Sequence, residues 1–489
     1  MNATTRNRWA FYGRRSELDA LREILRRRRW FFLKVSGRRR IGKTSLVQQA
    51  LTAEGRDKVL YMQVPDSDPA GVVSTARDFY DLFKVDATRP TDLRSLAVSI
   101  GDLARQGYVV AVDGFQYFHR KALFEFTSHL QFEVDQLARD AATVRGGVIV
   151  LGSVHTEMAA LLEDRDAPLF ARLTHSLDVP HLDIASVLEI LRAHAEPDSE
   201  RLLFLWNLFE GVPKFYRDAF EENVLASDRR ELLRELFFSS SSPLRTEAEN
   251  WFLRELRGRY DLVLKYLARH PGCTNGEIHA HARSVEADSE KQIGGYVKVL
   301  RERYQMVEQL QPIFAKSTAR NGRYYIADNF LRSWLAALSA PTASVNFKPV
   351  EDLLREADGR LADAEGHGLE KLVGTLYEER GRKGLDGFRL TQRIQGFWDR
   401  GDTEIDLVAL NEYDHIVRLG SCKRTAERLA PDFGRFDEHV ARFVERAARV
   451  RGWRVEKAAI ATRHTTETRR AAERAGYIPQ DLEDLTANL

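Results

Sequence analysis

Two groups of residues have types and spacings suited to phosphate chemistry. The first, Gly37-Arg38-Arg39-Arg40-Ile41-Gly42-Lys43-Thr44-Ser45, fits G-x-x-x-x-G-K-[ST] and follows a short apolar run. Its glycines let backbone N–H groups turn toward phosphate oxygens at a helix N-terminus, where the dipole favours an anion. Lys43 would reach the β and γ phosphates, and the Thr44 hydroxyl is an oxygen ligand of the kind Mg²⁺ prefers. Residues 37–45 are therefore expected to bind a nucleoside triphosphate. The second group is Tyr108-Val-Val-Ala-Val-Asp113, an apolar strand ending in an acid. It makes Asp113 the candidate metal-associated carboxylate.

The elements that must position these residues are legible as an alternation of short apolar runs with longer helical stretches, the pattern of a parallel sheet covered on both faces. Strands are predicted over 31–36, 59–64, 108–112, 148–152 and 177–179 within an α/β core at 1–182. A helical lid is predicted at 183–243, ending in the Ser239-Ser-Ser-Ser-Pro243 linker. Residues 244–340 read as a winged helix. Capping pairs Thr274/Glu277 and Ser289/Gln292 open two successive helices, and strands at 307–315 and 323–326 flank a basic turn. On the second of these helices Ile293, Val297, Leu300 and Tyr304 define a buried face. Lys291, Lys298, Arg301 and Arg303 are left outward. With Lys316, Arg320 and Arg323 of the wing they could meet the phosphates of duplex DNA. After Ala340-Pro341 and Lys348-Pro349 comes a domain at 350–489, with a helix at about 361–380, strands at 388–394, 404–410 and 415–419, a helix near 436–450 and a strand near 454–461.

Composition narrows the classes. The 489 residues are 43% apolar and 30% charged, with a formal net charge of +2, so the chain is globular and carries no global field pointing to nucleic acid. The charge is uneven, however. The first fifty residues hold fourteen Lys or Arg against three acids, and Arg26 to Arg29 form one run. Cys273 and Cys422 offer neither a disulfide framework nor a cysteine metal motif, which points to a reducing cytoplasm. The opening residues lack the apolar core of a signal peptide, and no later apolar run approaches membrane-spanning length, so no membrane partner is expected.

The sequence resembles the archaeal-type P-loop ATPases of the AAA+ and STAND group, often fused to a winged helix and a restriction-endonuclease-like C-terminal domain. The resemblance is carried by Phe11-Tyr-Gly-Arg-Arg-Ser-Glu-Leu18, the 37–45 loop, Val112-Asp-Gly-Phe-Gln-Tyr117, Leu151-Gly-Ser153, Pro168-Leu-Phe-Ala-Arg172, Gly211-Val-Pro-Lys-Phe-Tyr216 and Tyr324-Tyr-Ile-Ala-Asp328. It implies ATP and Mg²⁺ as cofactors, with Phe11, Tyr12, Gly13 and Arg14 near adenine, Ser153 as a polar sensor, Arg172 as a phosphate-sensing arginine and Pro213 in the lid. A homo-oligomer is required if Arg172 acts on a neighbouring copy. In the C-terminal domain, Gly396-Phe-Trp-Asp-Arg-Gly401 before Glu404-Ile-Asp406 resembles the family's nuclease-like partner. The likeness implies Glu370, Glu404 and Asp406 as Mg²⁺ ligands and Asp406 and Lys423 as catalytic groups. Glu404 and Asp406 are two apart on a strand and face the same way.

Two departures matter. Gly114 stands where the family has the Glu that polarises attacking water, and Ser421 stands where it has an acid two residues before the lysine. Glu157 and Asp102 are the carboxylates offered as substitutes for the first. The sequence thus suggests an ATP-dependent switch with slow hydrolysis and an impaired nuclease-like domain. Two alternatives stay open: an active ATP-regulated, Mg²⁺-dependent DNA nuclease, and a non-enzymatic regulator or scaffold binding DNA or a protein partner.

Overall fold

The computed structural model describes residues 8–153, 155–249, 260–285, 290–316, 321–385, 387–399 and 401–489, so the cap expected at Ser289 and the wing residue Arg320 lie outside the described residues. The chain divides into two compact units: residues 14–181 with 212–214, and residues up to 13 with 182–211 and 215–489.

In the first unit, β1 (Phe31–Ser36), β2 (Val59–Gln63), β3 (Val109–Asp113), β4 (Gly147–Gly152) and β5 (His175–Asp178) form one parallel sheet in the order β2-β3-β4-β1-β5. Every residue of β1 and β4 is buried, because helices cover both faces and leave no room for polar alternation. The helices between strands are started by side chains that take up their free N–H groups. Asp68 accepts from Gly71, and Asp92 and Ser95 form a reciprocal box. Tyr80, Leu96, Ile100, Phe115 and Phe126 fill one face of the core.

In the second unit, helices Ile184–His194, Ser199–Phe209 and Arg229–Leu233 are followed by helices Tyr260–Arg269, Asn275–Val285 and Glu290–Glu302. The latter three accompany a small sheet of β6 (Cys273–Thr274), β7 (Val307–Leu310) and β8 (Arg323–Ile326), ordered β6-β8-β7. Strand β7 stops well short of residue 315 because Pro312 has no N–H to give the ladder. The last module holds β9 (Gln395–Trp398), β10 (Glu404–Asn411), β11 (Ile416–Lys423), β12 (Arg454–Ala461) and β13 (Ile478–Asp481) in sequential sheet order. The strand expected at 388–394 is not formed. Thr391 gives a single N–H to Leu410, and pairing begins four residues later, where Phe397 can pack into the core.

The long helix Val350–Lys383 joins the modules of this unit. It starts eleven residues before the predicted helix because the burial of Leu353, Leu354 and Ala357 outweighs the poor propensity of Gly359. Two of its buried acids reach other elements. Glu365 receives Arg229 and, at 2.6 Å, Arg424, while Glu379 accepts the N–H groups of Ile184 (2.7 Å) and Ala185 (3.1 Å) at a helix start.

Gly368 is a contact residue rather than a helix defect. A Cβ there would lie 2.3 Å from Asn207 Oδ1, whereas at Gly359 it would meet nothing within 4 Å. Gly368→Ala should therefore destabilise this unit by about 1–3 kcal/mol through overpacking, and Gly359→Ala should stabilise it by up to ~1 kcal/mol. Urea unfolding of the two variants checks the opposite signs.

Candidate functional site

The loop after β1 turns through Gly37 (φ 147°) and Gly42 (φ 92°), both in the region closed to most side chains. A Cβ on Gly37 would lie 2.6 Å from the Val179 carbonyl oxygen. Gly42 is the N-cap of helix Lys43–Ala53, so the first N–H groups of that helix face the loop without helical acceptors. Lys43 is buried. Its ammonium donates to the carbonyls of Gly37 (2.9 Å) and Arg38 (3.0 Å) and to Ser153 Oγ (3.0 Å). Burial pushes it down to about 8 against the attraction of Asp113, with Arg39 adding to the fall. Ile41 is fully buried, Ser45 is exposed, and Arg40 is left-handed at φ 65°.

Across the sheet edge, Thr44 Oγ1 donates to Asp113 Oδ2 at 2.7 Å, and the Tyr61 hydroxyl donates to the same oxygen at 2.5 Å. Burial and the Asp113 charge hold the Tyr61 proton firmly in place. Sequence reasoning missed Tyr61. The available signal was a tyrosine inside an apolar strand, whose hydroxyl needs a partner. The set suits a polyphosphate with a hard cation: a loop whose glycines leave no Cβ in the way, one ammonium, and a hydroxyl and a carboxylate side by side.

Gly114 has φ 81°, and a Cβ there would lie 2.8 Å from the Val64 carbonyl oxygen. Of the two substitute carboxylates, Asp102 precedes β3 at the opposite edge of the sheet and pairs with Arg105 at 2.9 Å. Glu157 is in the first turn of helix His155–Leu162, directly after β4, at the same edge as Asp113. Arg14 is buried and bonds the Ile41 carbonyl at 3.2 Å, and Pro213 lies 3.6 Å from where a Gly42 Cβ would be. Arg172 is not brought to the loop. It precedes β5, at the other edge, and forks onto Asp135 at 2.8 and 3.1 Å. In the second unit the Tyr12 hydroxyl bonds His194 (2.6 Å) within an aromatic group with Trp9 and Phe220, next to Phe11, and Gly13 fits closely against Ser186.

The second unit also gathers Glu370, Glu404, Asp406 and Lys423. Strand β10 runs antiparallel to β11, with Leu407 opposite Gly420, so Asp406 faces the end of β11 and accepts the Cys422 N–H at 2.7 Å. Burial, then Glu370, pushes Asp406 up to about 7; burial and Glu404 push Glu370 up to about 7. Burial works against the Lys423 charge, yet Asp406 and Asp432 hold its pKa above the ordinary value. Arg323 of β8 pairs with Glu404 and lies over the Trp398 ring at 4.7 Å. Its role as a DNA-facing cation of the wing is therefore corrected: its charge is taken up by this acid. Arg301 is engaged by Gln309 at 2.6 Å and Glu302 at 2.8 Å, and Lys298 lies 3.8 Å from Glu302.

No protein-family model matches the chain. It is 24% identical over 409 residues to the uncharacterized protein MJECL04 of Methanocaldococcus jannaschii, across 83% of this chain and 85% of that one. Among solved structures, a Walker-type ATPase of Pyrococcus abyssi superposes with a TM-score of 0.50 at 17% identity, covering 66% of this chain and 96% of that chain. The ORC2 protein of Aeropyrum pernix in its ADPNP-ADP complexes gives 0.44 at 13% identity, covering 74% and 98%. The ATPase likeness shows the fold. No helix among the described residues is long and apolar enough to cross a membrane.

Placing a glutamate after Asp113 should not create an efficient hydrolytic site. Gly114→Glu should lower thermal stability, by about 1 kcal/mol or more from the left-handed backbone alone, and leave γ-phosphate release no faster. A melting curve and a phosphate-release assay on one preparation check both halves.

Proposed function

We propose that the protein is an ATP-binding molecular switch of the AAA+/STAND kind with slow hydrolysis. The observation that carries this reading is the buried Lys43 ammonium, held beside the adjoining Thr44 hydroxyl and Asp113 carboxylate at one edge of a parallel sheet. ATP would be held by the amides of residues 37–45 and by Lys43, and Mg²⁺ by Thr44 and Asp113. The cation supplies neutralisation of phosphate charge. Lys43 exchanges loop carbonyls for phosphate oxygens, Ser153 keeps its ammonium aimed, and Tyr61 orients Asp113. Slow turnover follows from Gly114, which has no side chain to polarise water. Arg172 senses phosphate on a neighbouring copy, since its own loop is at the far edge; a homo-oligomer belongs to this reading.

The remaining modules are the effectors. Residues 244–340 serve as the DNA-binding winged helix, with Arg303 and Lys316 facing duplex DNA, and residues 350–489 as a restriction-endonuclease-like domain whose cleavage is impaired. Support for the impairment comes from Ser421, a far weaker metal ligand than an acid, and from Arg323, which occupies Glu404. Should Glu370, Glu404 and Asp406 hold Mg²⁺, Lys423 is placed to steady charge beside Asp406.

Calorimetry of the full chain should register binding of ATP with Mg²⁺, lost in Lys43→Ala, with phosphate release far slower than in an efficient ATPase. Absence of any heat with folded protein would falsify the reading. In a Mg²⁺-dependent nuclease assay the chain should leave duplex DNA intact. Robust cleavage that disappears in both Asp406→Ala and Lys423→Ala would replace the impaired domain by an active ATP-regulated nuclease.

A further inference from the structure

The Arg26–Arg29 run finds no use in the nucleotide site. It precedes β1, and the residues that precede parallel strands gather at the edge opposite the phosphate loop. There a cleft of about 600 Å³ is lined by Arg27, Arg28, Arg56, Lys58 and Arg145, with Asp57 as its one acid. These five cations come from three separate segments, ahead of β1, β2 and β4, so their convergence is a product of the fold and not of one charged stretch. The other lining residues are Gly55 and Gly107, which add no side chain to fill the space.

Little of this charge is neutralised locally. Arg27 pairs with Glu23, Arg56 donates to the Leu25 carbonyl, and Lys58 donates to the Gln106 carbonyl at 3.0 Å. Arg28 and Arg145 are exposed and have no ion pair among the described residues. The crowding is felt by neighbours. Burial and then Arg28 lower the pKa of Arg56, and burial with Arg27 and Arg29 lowers that of His175. A solvated surface spreads like charges apart; a concave surface that concentrates them focuses a positive potential on whatever enters. No aromatic ring or amide side chain lines the cleft, so it offers charge without a means of reading bases.

We propose that this cleft binds the phosphodiester backbone of a nucleic acid, independently of base sequence and at a place separate from the phosphate loop. Five- and six-residue strands put roughly 17–20 Å between the two edges. Each phosphate neutralised on a duplex contributes about −0.9 to the slope of log K against log salt. Removing two cations should therefore flatten the slope by about 2.

The test is fluorescence anisotropy of the full chain with a short labelled duplex and the matching single strand over a range of KCl, without nucleotide. Arg28→Glu/Arg145→Glu should weaken binding at least tenfold and flatten the salt slope, with the melting temperature and ATP affinity unchanged. Arg28→Gln/Arg145→Gln, milder at two exposed positions, should give the same direction if the reversal perturbs folding. Arg303→Glu/Lys316→Glu reports the winged helix separately. Wild-type protein that binds neither probe, unchanged affinity and slope in both cleft variants, or loss confined to the Arg303/Lys316 variant would overturn the proposal. So would inorganic tripolyphosphate competing as well as unlabelled duplex at equal phosphate, since the cleft would then serve a small polyanion. Loss of ATP binding in Lys43→Ala bears on the switch alone.

Discussion

In a sheet whose strands all run the same way, every residue that follows a strand lies at one edge and every residue that precedes one lies at the other. That constraint governs the first unit. The ends of β1, β3 and β4 bring together the 37–45 loop, Asp113 and Ser153, and the register pairing Ser36 with Gly152 and Asp113 with Leu151 sets Lys43 Nζ 3.0 Å from Ser153 Oγ. The starts of β1, β2 and β4 bring together the arginines and the lysine of the cleft. The two proposed anion sites would thus coexist without competing, because the strand length separates them. A slip of one residue in register would turn the buried apolar faces over and lose both edges together.

The second unit is held by a different balance. After burial, Glu404 raises the pKa of Glu370 and Glu370 raises that of Asp406, which costs free energy unless cations stand nearby. Lys423 comes from β11 and Arg323 from β8, so a hairpin of one module supplies charge to the acids of another. The attachment is more than electrostatic: the Trp398 indole donates to the Asn321 carbonyl at 2.7 Å, the Ile313 N–H donates to the Gly396 carbonyl at 2.9 Å, and Ile313 joins the core of the last sheet. Removing Arg323 would leave Glu404 beside Glu370 without its partner, at a modest cost, because Glu404 is exposed and water screens its charge.

Strands β1, β3 and β4 were legible because each is a short, largely apolar run closed by Gly, Asp or Ser, and the 37–45 loop because its residues are consecutive, whereas β5 starts at His175, two residues before the predicted strand, and is not a buried run. What was illegible depends on distant partners. Tyr61 acquires its meaning only when Asp113 arrives from the neighbouring strand. Arg323 looks like a wing cation until Glu404, 81 positions away, is folded against it. The helix from Val350 shows its first eleven residues only when Leu353, Leu354 and Ala357 are buried, and Gly368 is explained only by Asn207. The cations before β1, β2 and β4 are scattered in sequence, and only the first of the three segments stands out as a run. The strand β13 was missed because Pro479 lies inside it, which an edge position tolerates.

The backbone at Gly114 bears on what kind of machine this is. At Gly114 the backbone is left-handed and a Cβ would lie 2.8 Å from the Val64 carbonyl oxygen, so this strand end is closed to a side chain. In the function proposed above, such a site holds a nucleotide rather than consuming it. A switch needs differential affinity: moving a population from 1:99 to 99:1 takes about 5.5 kcal/mol. Lys43 makes two hydrogen bonds within its loop and a third to Ser153. Charge-assisted bonds are each worth about 1.5–3 kcal/mol. In the proposed switch, exchanging the two loop carbonyls for phosphate oxygens in one conformation but not another would contribute the difference between the two sets to that total, with no turnover required.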